Sequence, residues 1–486
     1  MSNHAVSELR ARMSGRVLTP VDEGYHAARE IWNAMIDRRP AVIAQCASRD
    51  DVQAAVRWAR EHDVVISIRG GGHNIAGLAL CDGGLTIDLS PMKAMNVDAG
   101  ARTVAAQAGL TWGEFDRETQ RFGLATTGGA VSTTGIAGLT LGGGIGWLMG
   151  RCGYTVDNLL SADVVLHDGT AITASETEHP DLFWGLRGGG GNFGVVTTFR
   201  YRLHPVDHVW AGLIVHPISR LAPMLRFYRE FVSAAPDELT VHAGVMTLPT
   251  GDRVGALLPV WCGDPAEGER RIAPLRSFGP PMLDTVQPIP YVAAQSMLDA
   301  AVPSGRHNYW KSSFLRALDD ETIATIDAHA GAITSPYSLC LIEHAHGAPM
   351  RRPADATAFG VRDEHFHFVA IASWDAADDP VRHVEWSRAF WRAMQPWSAH
   401  RVYVNILGPD ERDRIGEAYG ANYARLTQVK AAYDPGNVFQ INQNIALAPS
   451  EGSAVAIRAA PPAWLVDRSS PEARAGAEAR IARRDD

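Results

Sequence analysis

Gly128 to Gly150, GGAVSTTGIAGLTLGGGIGWLMG, packs nine glycines into 23 residues. Two more clusters flank it: Arg69-Gly70-Gly71-Gly72-His73-Asn74 and Leu186-Arg-Gly-Gly-Gly-Gly-Asn-Phe-Gly194-Val195. A glycine inside regular structure costs about 0.5–1 kcal/mol in backbone freedom, so three clusters in one half of a chain need a compensating role. Glycine permits positive φ and close approach to bare main chain, and successive amides in such turns form anion-binding nests. The combination points to a large phosphate-bearing cofactor running past several turns. A P-loop is excluded, because the chain has no Gly-Lys pair. The fingerprint G-x-G-x-x-G occurs at Gly189, Gly191 and Gly194, but the strand-like Val196–Leu203 follows it. No helix N-terminus then receives a pyrophosphate, so a Rossmann domain is not expected.

Around these clusters the pattern is that of alternating strands and helices. Residues 41–69 read as a βαβ-like unit: an apolar run from Ala41, capping residues from Ser48, Val52, Val56 and Ala59 at helical spacing, then the β-branched Val64–Ile68. Leu85–Leu89 reads as a strand, and Thr111–Phe122 as a helix stopped by Gly123. Strands are expected at Ser161–His167 and Thr170–Ser175. After Pro205 the texture changes. Strands at Glu238–Thr247 and Arg253–Trp261 alternate with helices at Ser219–Ala235 and Pro265–Phe278, the pattern of a separate α+β unit. Tyr423, Leu426, Val429 and Tyr433 then form a helix face that Asp434-Pro435-Gly436 terminates.

The chain has 486 residues, enough for two or three domains. Lys and Arg number 45 against 54 Asp and Glu, a net charge of −9. Such a balance argues against a partner that is nucleic acid or an anionic membrane. Five scattered cysteines, Cys46, Cys81, Cys152, Cys262 and Cys340, show no C-x-x-C spacing, which argues against a disulfide framework or a cysteine-built metal site. The first twenty residues carry charges and no apolar core of a signal peptide, and no stretch reaches about 18 uninterrupted apolar residues. A cytoplasmic location is expected.

The motifs Arg69–Asn74, Asp88-Leu-Ser90, the 128–150 block, Gly153-Tyr154 with Asp157-Asn158, Leu186–Gly194, and Tyr433-Asp-Pro-Gly-Asn-Val-Phe439 with Asn442-Gln-Asn444 occur in one order. Together they resemble the berberine bridge enzyme-like branch of the vanillyl-alcohol oxidase flavoproteins, over about residues 36 to 446. The resemblance implies an α+β fold: a two-part PCMH-type FAD-binding domain with an inserted α+β substrate domain whose antiparallel sheet is backed by helices. The boundaries expected are a polar lead-in at 1–35, the FAD-binding domain at 36–205, the substrate domain at 206–400, a returning segment at 401–446 and a tail at 447–486. The cofactor implied is FAD, and the activity is hydride transfer from a C–H of an alcohol, sugar or amine to flavin N5, with reoxidation by O2 to H2O2. Residues implied at the cofactor are Arg69, Gly70, Gly71, Gly72, His73, Asn74, Ser90, Thr133, Thr134, Gly135, Gly138, Gly142, Gly143, Gly144, Gly146, Tyr154, Asn158, Gly194, Val195, Asn405, Asn442 and Asn444.

In this family the histidine after the glycines, His73 here, bonds covalently to the flavin ring. A second bond through cysteine, found in many relatives, has Val131 at its position, so a single attachment is implied. Thr134 occupies the position that gates oxygen, and its valine-like shape favours O2 as acceptor.

The tyrosines that serve plant members as base are replaced by Ile145 and Ile406. Candidates for proton transfer therefore come from elsewhere in the chain: Tyr403, which lies with Asn405 where the returning segment passes the flavin, and Glu343 and His344 in Cys340–His346. Glu343 faces opposite to His344 and His346 if that run is a strand. His365 and His367 form another alternating pair, and Tyr309, Trp310 and Lys311 are further candidates. Two alternatives stay open: a flavin-retaining protein that binds a small molecule without catalysis, and a metalloenzyme built on the His344/His346 and His365/His367 pairs. Neither substrate identity nor oligomeric state is legible.

Overall fold

The computed structural model describes residues 2–447, so all but the first residue of the expected tail, 447–486, lies outside the described residues. Three sheets carry the fold. In the first, Val42–Gln45 and Ile66–Arg69 both run parallel to Leu85–Asp88, and Arg16–Leu18 pairs antiparallel on the edge. The crossover helix Arg49–Glu61 forms because the Ser48 hydroxyl accepts from the Asp51 amide and Val52, Ala55, Val56 and Ala59 make one buried stripe. The second sheet is antiparallel, in the order Met95–Asp98, Thr103–Gln107, Val195–Arg202, Leu159–Val165, Ala171–Ser175. The helix Trp112–Thr119 covers it, opened by a reciprocal Thr111–Glu114 capping box, and Gly123 at φ +64° ends the short turn that follows.

The third sheet has nine strands. Its centre is the antiparallel run Arg253–Trp261, Leu239–Thr247, Leu339–Ala345, His365–Trp374, His307–Leu315. The helices Leu221–Val232, Asp320–Gly331 and Pro380–Met394 contribute Leu225, Ile326 and Phe390 to an apolar cluster with Val241, Ile342 and Phe368 on one face of this sheet. Each such fully buried side chain contributes roughly 1.5–3 kcal/mol. All ten residues of His365–Trp374 are buried, so its other face is covered too. What covers that face is the glycine-rich half of the molecule.

The residues read as a polar lead-in pack against the body of the fold. Asn3–Arg12 is a helix that buries Ala5, Val6 and Leu9, and Trp58 Nε1 donates to the Ala5 carbonyl at 2.8 Å. Only three apolar positions among charged ones make that contact, too few for a periodicity to stand out. Strand limits also move, from Val64–Ile68 to Ile66–Arg69 and from Ser161–His167 to Leu159–Val165. The helix Tyr423–Tyr433 falls where its face predicts.

Candidate active site

A cavity of about 380 Å³ lies between the three glycine clusters and the open face of the large sheet. Ten glycines of the clusters line it: Gly70, Gly71, Gly72, Gly129, Gly135, Gly138, Gly142, Gly190, Gly191 and Gly194. Two clusters touch: a Cβ on Gly71 would stand 2.5 Å from the Gly135 main chain, so neither position accepts a side chain. At Gly138 and Gly191, by contrast, a Cβ would meet nothing within 4 Å. Among the described residues the amides of Gly70 to Ala76 find no backbone acceptor. An unpaired amide is costly unless something accepts from it, and Gly70 to Ile75 of this run line the cavity.

His73 lines the cavity, with its ring stacked on Trp32 at 4.6 Å and Nε2 3.0 Å from the Thr133 hydroxyl. Burial pushes its pKa down to about 4, which keeps the imidazole neutral and nucleophilic. Asn74, Val131, Thr134, Val195, Asn405 and Asn442 also line the cavity, as do Ile145 and Ile406. The remaining sequence candidates stand behind that lining. The Arg69 guanidinium donates to the Ala28 carbonyl. The Ser90 amide donates to Asp88 at 3.0 Å. Gly143, Gly144 and Gly146 clear space for Phe359, Thr155 and the Gly128 carbonyl. Tyr154 is fully buried beside Phe359, Asn158 donates to the Cys152 and Tyr154 carbonyls, and the buried Asn444 Oδ1 has no partner among the described residues. These residues, Tyr154 and Asn158 among them, shape the loops behind the cavity lining.

The strand register sorts the polar candidates on the sheet. His242 pairs with Glu343, Glu343 with His367, and His367 with Phe314, so the four share one row on the cavity face. His367 Nδ1 lies 2.6 Å from Glu343 Oε2, and His242 Nδ1 lies 3.5 Å from Oε1. Burial pushes the Glu343 carboxyl up, but the two imidazoles outweigh that and hold it below the usual carboxylate range. A carboxylate accepts only, so His367 carries its proton on Nδ1 and leaves Nε2 as an acceptor. That Nε2 is buried without a partner among the described residues, in a side chain that lines the cavity. His242 stacks on Trp147 at 4.5 Å.

His344 is the correction. Strand alternation turns it to the opposite face, where it stacks on His346 at 5.0 Å and bonds Glu364 at 2.8 Å. The His344/His346 and His365/His367 pairs therefore lie on different sides of the sheet and do not converge on one ion. Tyr309 and Lys311 likewise face away and meet Asp410 at 2.7 and 3.1 Å, while Trp310 lines the cavity.

Tyr403 lines the cavity, yet its hydroxyl is committed. It accepts from the Gly144 amide at 3.0 Å, the Ile145 amide at 3.3 Å and Asn405 Nδ2 at 2.9 Å. Burial, against the pull of these donors, pushes the phenol up to about 12. Two residues are not legible in the sequence: Trp32 sits in the expected lead-in, and His242 finds its place only through cross-strand register. His367 is named there as one of an alternating pair, without the partner that orients it.

Residues 40–175 match the family described as FAD binding domain, and residues 402–446 match the family described as Berberine and berberine like. An FAD-linked oxidoreductase of Dictyostelium discoideum is 32% identical over 448 residues, covering 90% of this chain and 96% of that protein. The chain belongs to the berberine bridge enzyme-like FAD-linked oxidoreductases. The (R)-6-hydroxynicotine oxidase of Paenarthrobacter nicotinovorans is 31% identical, covering 89% of this chain and 97% of its own. The crystal structure of 6-hydroxy-D-nicotine oxidase from Arthrobacter nicotinovorans superposes with a TM-score of 0.80 at 29% identity, covering 89% of this chain and 98% of that one. A Physcomitrella patens BBE-like protein shares the fold at a TM-score of 0.81 and 24% identity. As a family member this chain is an FAD-dependent oxidoreductase, and the glycine clusters of its FAD-binding part and the returning 402–446 segment meet at one cavity.

Proposed function

We propose that this protein is an oxidase that holds FAD in the cavity through a single covalent bond to His73 and oxidises a substrate C–H bearing a hydroxyl. The supporting observation is the fit between the cavity and the cofactor: bare glycine main chain on two sides, unpaired amides along Gly70–Ala76, and a neutral imidazole at their end. Val131 offers no nucleophile for a second bond. Cys340 belongs to the sheet, and burial pushes its thiol well up, which makes it inert. FAD supplies the redox chemistry when bound, accepting a hydride from the substrate carbon and passing the electrons to O2 to give H2O2.

The protein's own contribution is orientation and proton transfer. His367 Nε2 takes the substrate O–H proton, and Glu343 fixes the tautomer and stabilises the imidazolium that forms. Glu343 is thus the orienting residue and His367 the base. Tyr403 ties the returning segment to the second glycine cluster. Thr134, in the cavity wall, leaves room for O2, and the relatives named as oxidases support O2 as acceptor.

The purified protein should be yellow, and the colour should stay in the pellet on acid precipitation. His73→Ala should retain part of its FAD and release all of it in acid. If wild-type FAD also passes into the acid supernatant, the tether is wrong.

A further inference from the structure

The sheet wall of the cavity is ordered in rows. Its polar row ends at Glu343 and His367. The next row along the same strands is Ala256, Gly244, Leu341 and Val369, matched across the sheet by register. Beyond it come Met246, Leu339, Ile371 and Trp310. All eight line the cavity, and none carries a group that accepts a hydrogen bond in that wall beyond a thioether. Rows on one face are on the order of 7 Å apart. Trp310 meets Trp32 edge to face at 5.7 Å, and Leu298, Ala301 and Val302 close the same side.

We propose that the cavity takes a neutral, flat, largely apolar alcohol of about two fused rings, its single hydroxyl on His367 and its rings on the two apolar rows. This rests on the oxidase reading above and adds the class of substrate to it. The shape follows from the wall: Gly244 and Ala256 put little or no side chain into the row next to the polar one, which favours a ring face there, and the aliphatic side chains beyond it are apolar neighbours for a second ring. A glycan is the rival. Its hydroxyls point outward all round, and against Leu341, Val369 and Ile371 they would be stripped of water without acceptors in return, which opposes binding. One hydroxyl is what the polar row can serve, because both Glu343 oxygens already face imidazoles, His242 does not reach the cavity lining, and among the described residues His367 Nε2 is the unpartnered nitrogen of that row on a side chain that lines the cavity.

The test uses the yellow holoenzyme, with 1-tetralol and cellobiose as probes. Binding is read by tryptophan fluorescence, which Trp32 and Trp310 report whether or not turnover occurs, and turnover by anaerobic bleaching of the flavin. 1-Tetralol should bind at least tenfold more tightly than cellobiose. Val369→Thr keeps the volume and inserts a hydroxyl; it should raise the KM for 1-tetralol about tenfold and leave kcat within twofold. Cellobiose binding as tightly as 1-tetralol, or no response to 1-tetralol at millimolar concentration, overturns the assignment. Tight 1-tetralol binding without bleaching supports the substrate class and instead overturns the proton-transfer chemistry of the oxidase reading.

Discussion

The two walls of the cavity are made in opposite ways. On the glycine side the main chain does the work: amides of Gly70–Ala76 stand unpaired, and Gly71 and Gly135 touch so closely that neither admits a Cβ. On the sheet side the work is done by side chains in register, one polar row and then two apolar ones. A backbone wall holds whatever carries phosphates and flat rings and is indifferent to substrate. A side-chain wall can change its ligand by substitution without altering the fold. The division suggests that cofactor and substrate are recognised by separately variable halves.

Four experiments break or sharpen that contrast. The largest effect is expected on the backbone side. Gly71→Val drives a side chain into the Gly135 main chain, so bound FAD should be lost, measured as the ratio of flavin to protein absorbance. Gly331→Ala, where a Cβ meets nothing within 4 Å, should keep its full flavin content. On the sheet side, His367→Ala should leave flavin content intact and slow anaerobic flavin reduction by about 10²–10⁴-fold. A loss below tenfold would move the base elsewhere.

A smaller effect is expected where the walls meet. Tyr403→Phe leaves the Gly144 and Ile145 amides short of an acceptor and Asn405 Nδ2 with the Leu139 carbonyl alone, so urea unfolding should show a loss of about 1–3 kcal/mol. Equal stability for the two proteins would mean that water replaces the phenol.

The smallest effect is a pH dependence. Burial holds His344 and His365 at about 4, below their unfolded value of about 6.5. A depressed histidine contributes stability that is complete above pH 6.5 and is lost as pH falls towards 4, since only the unfolded chain then gains the proton. The melting temperature should therefore drop between pH 7 and pH 5. His365→Leu should shrink that difference by an amount equivalent to about 1 kcal/mol. An unchanged slope would place the responsible groups elsewhere.

What was legible in the sequence follows the same division. Glycine clusters announce themselves because a main-chain site has no other residue type to use, and His73 is marked by standing at the end of one. The order of motifs was enough for the family, and the family for the fold. The sheet wall was opaque for a definite reason. Alternation says that Glu343 and His344 point to opposite faces, but not which face meets the cavity. That depends on strands more than a hundred residues apart, and His242 gains its place only through pairing with Glu343. Tyr403 lines the cavity, but the direction of its hydroxyl is set by the Gly144 turn, which no local pattern encodes. Trp32 was missed because a lone aromatic in the short, mostly apolar run from Ile31 to Ile36 carries no period.

The third glycine cluster is completed from far down the chain. Asn192 donates to the Gln443 carbonyl and accepts from the Ile445 amide, while the buried Lys430 ammonium donates to the Asn192 carbonyl and pairs with Asp434 at 2.6 Å. At translation rates of about 5–20 residues per second, roughly 10–50 s separate the synthesis of residue 192 from that of residue 445. Throughout that interval the nascent cofactor pocket lacks one side. The walls of the cleft are therefore all present only once residue 445 has been made.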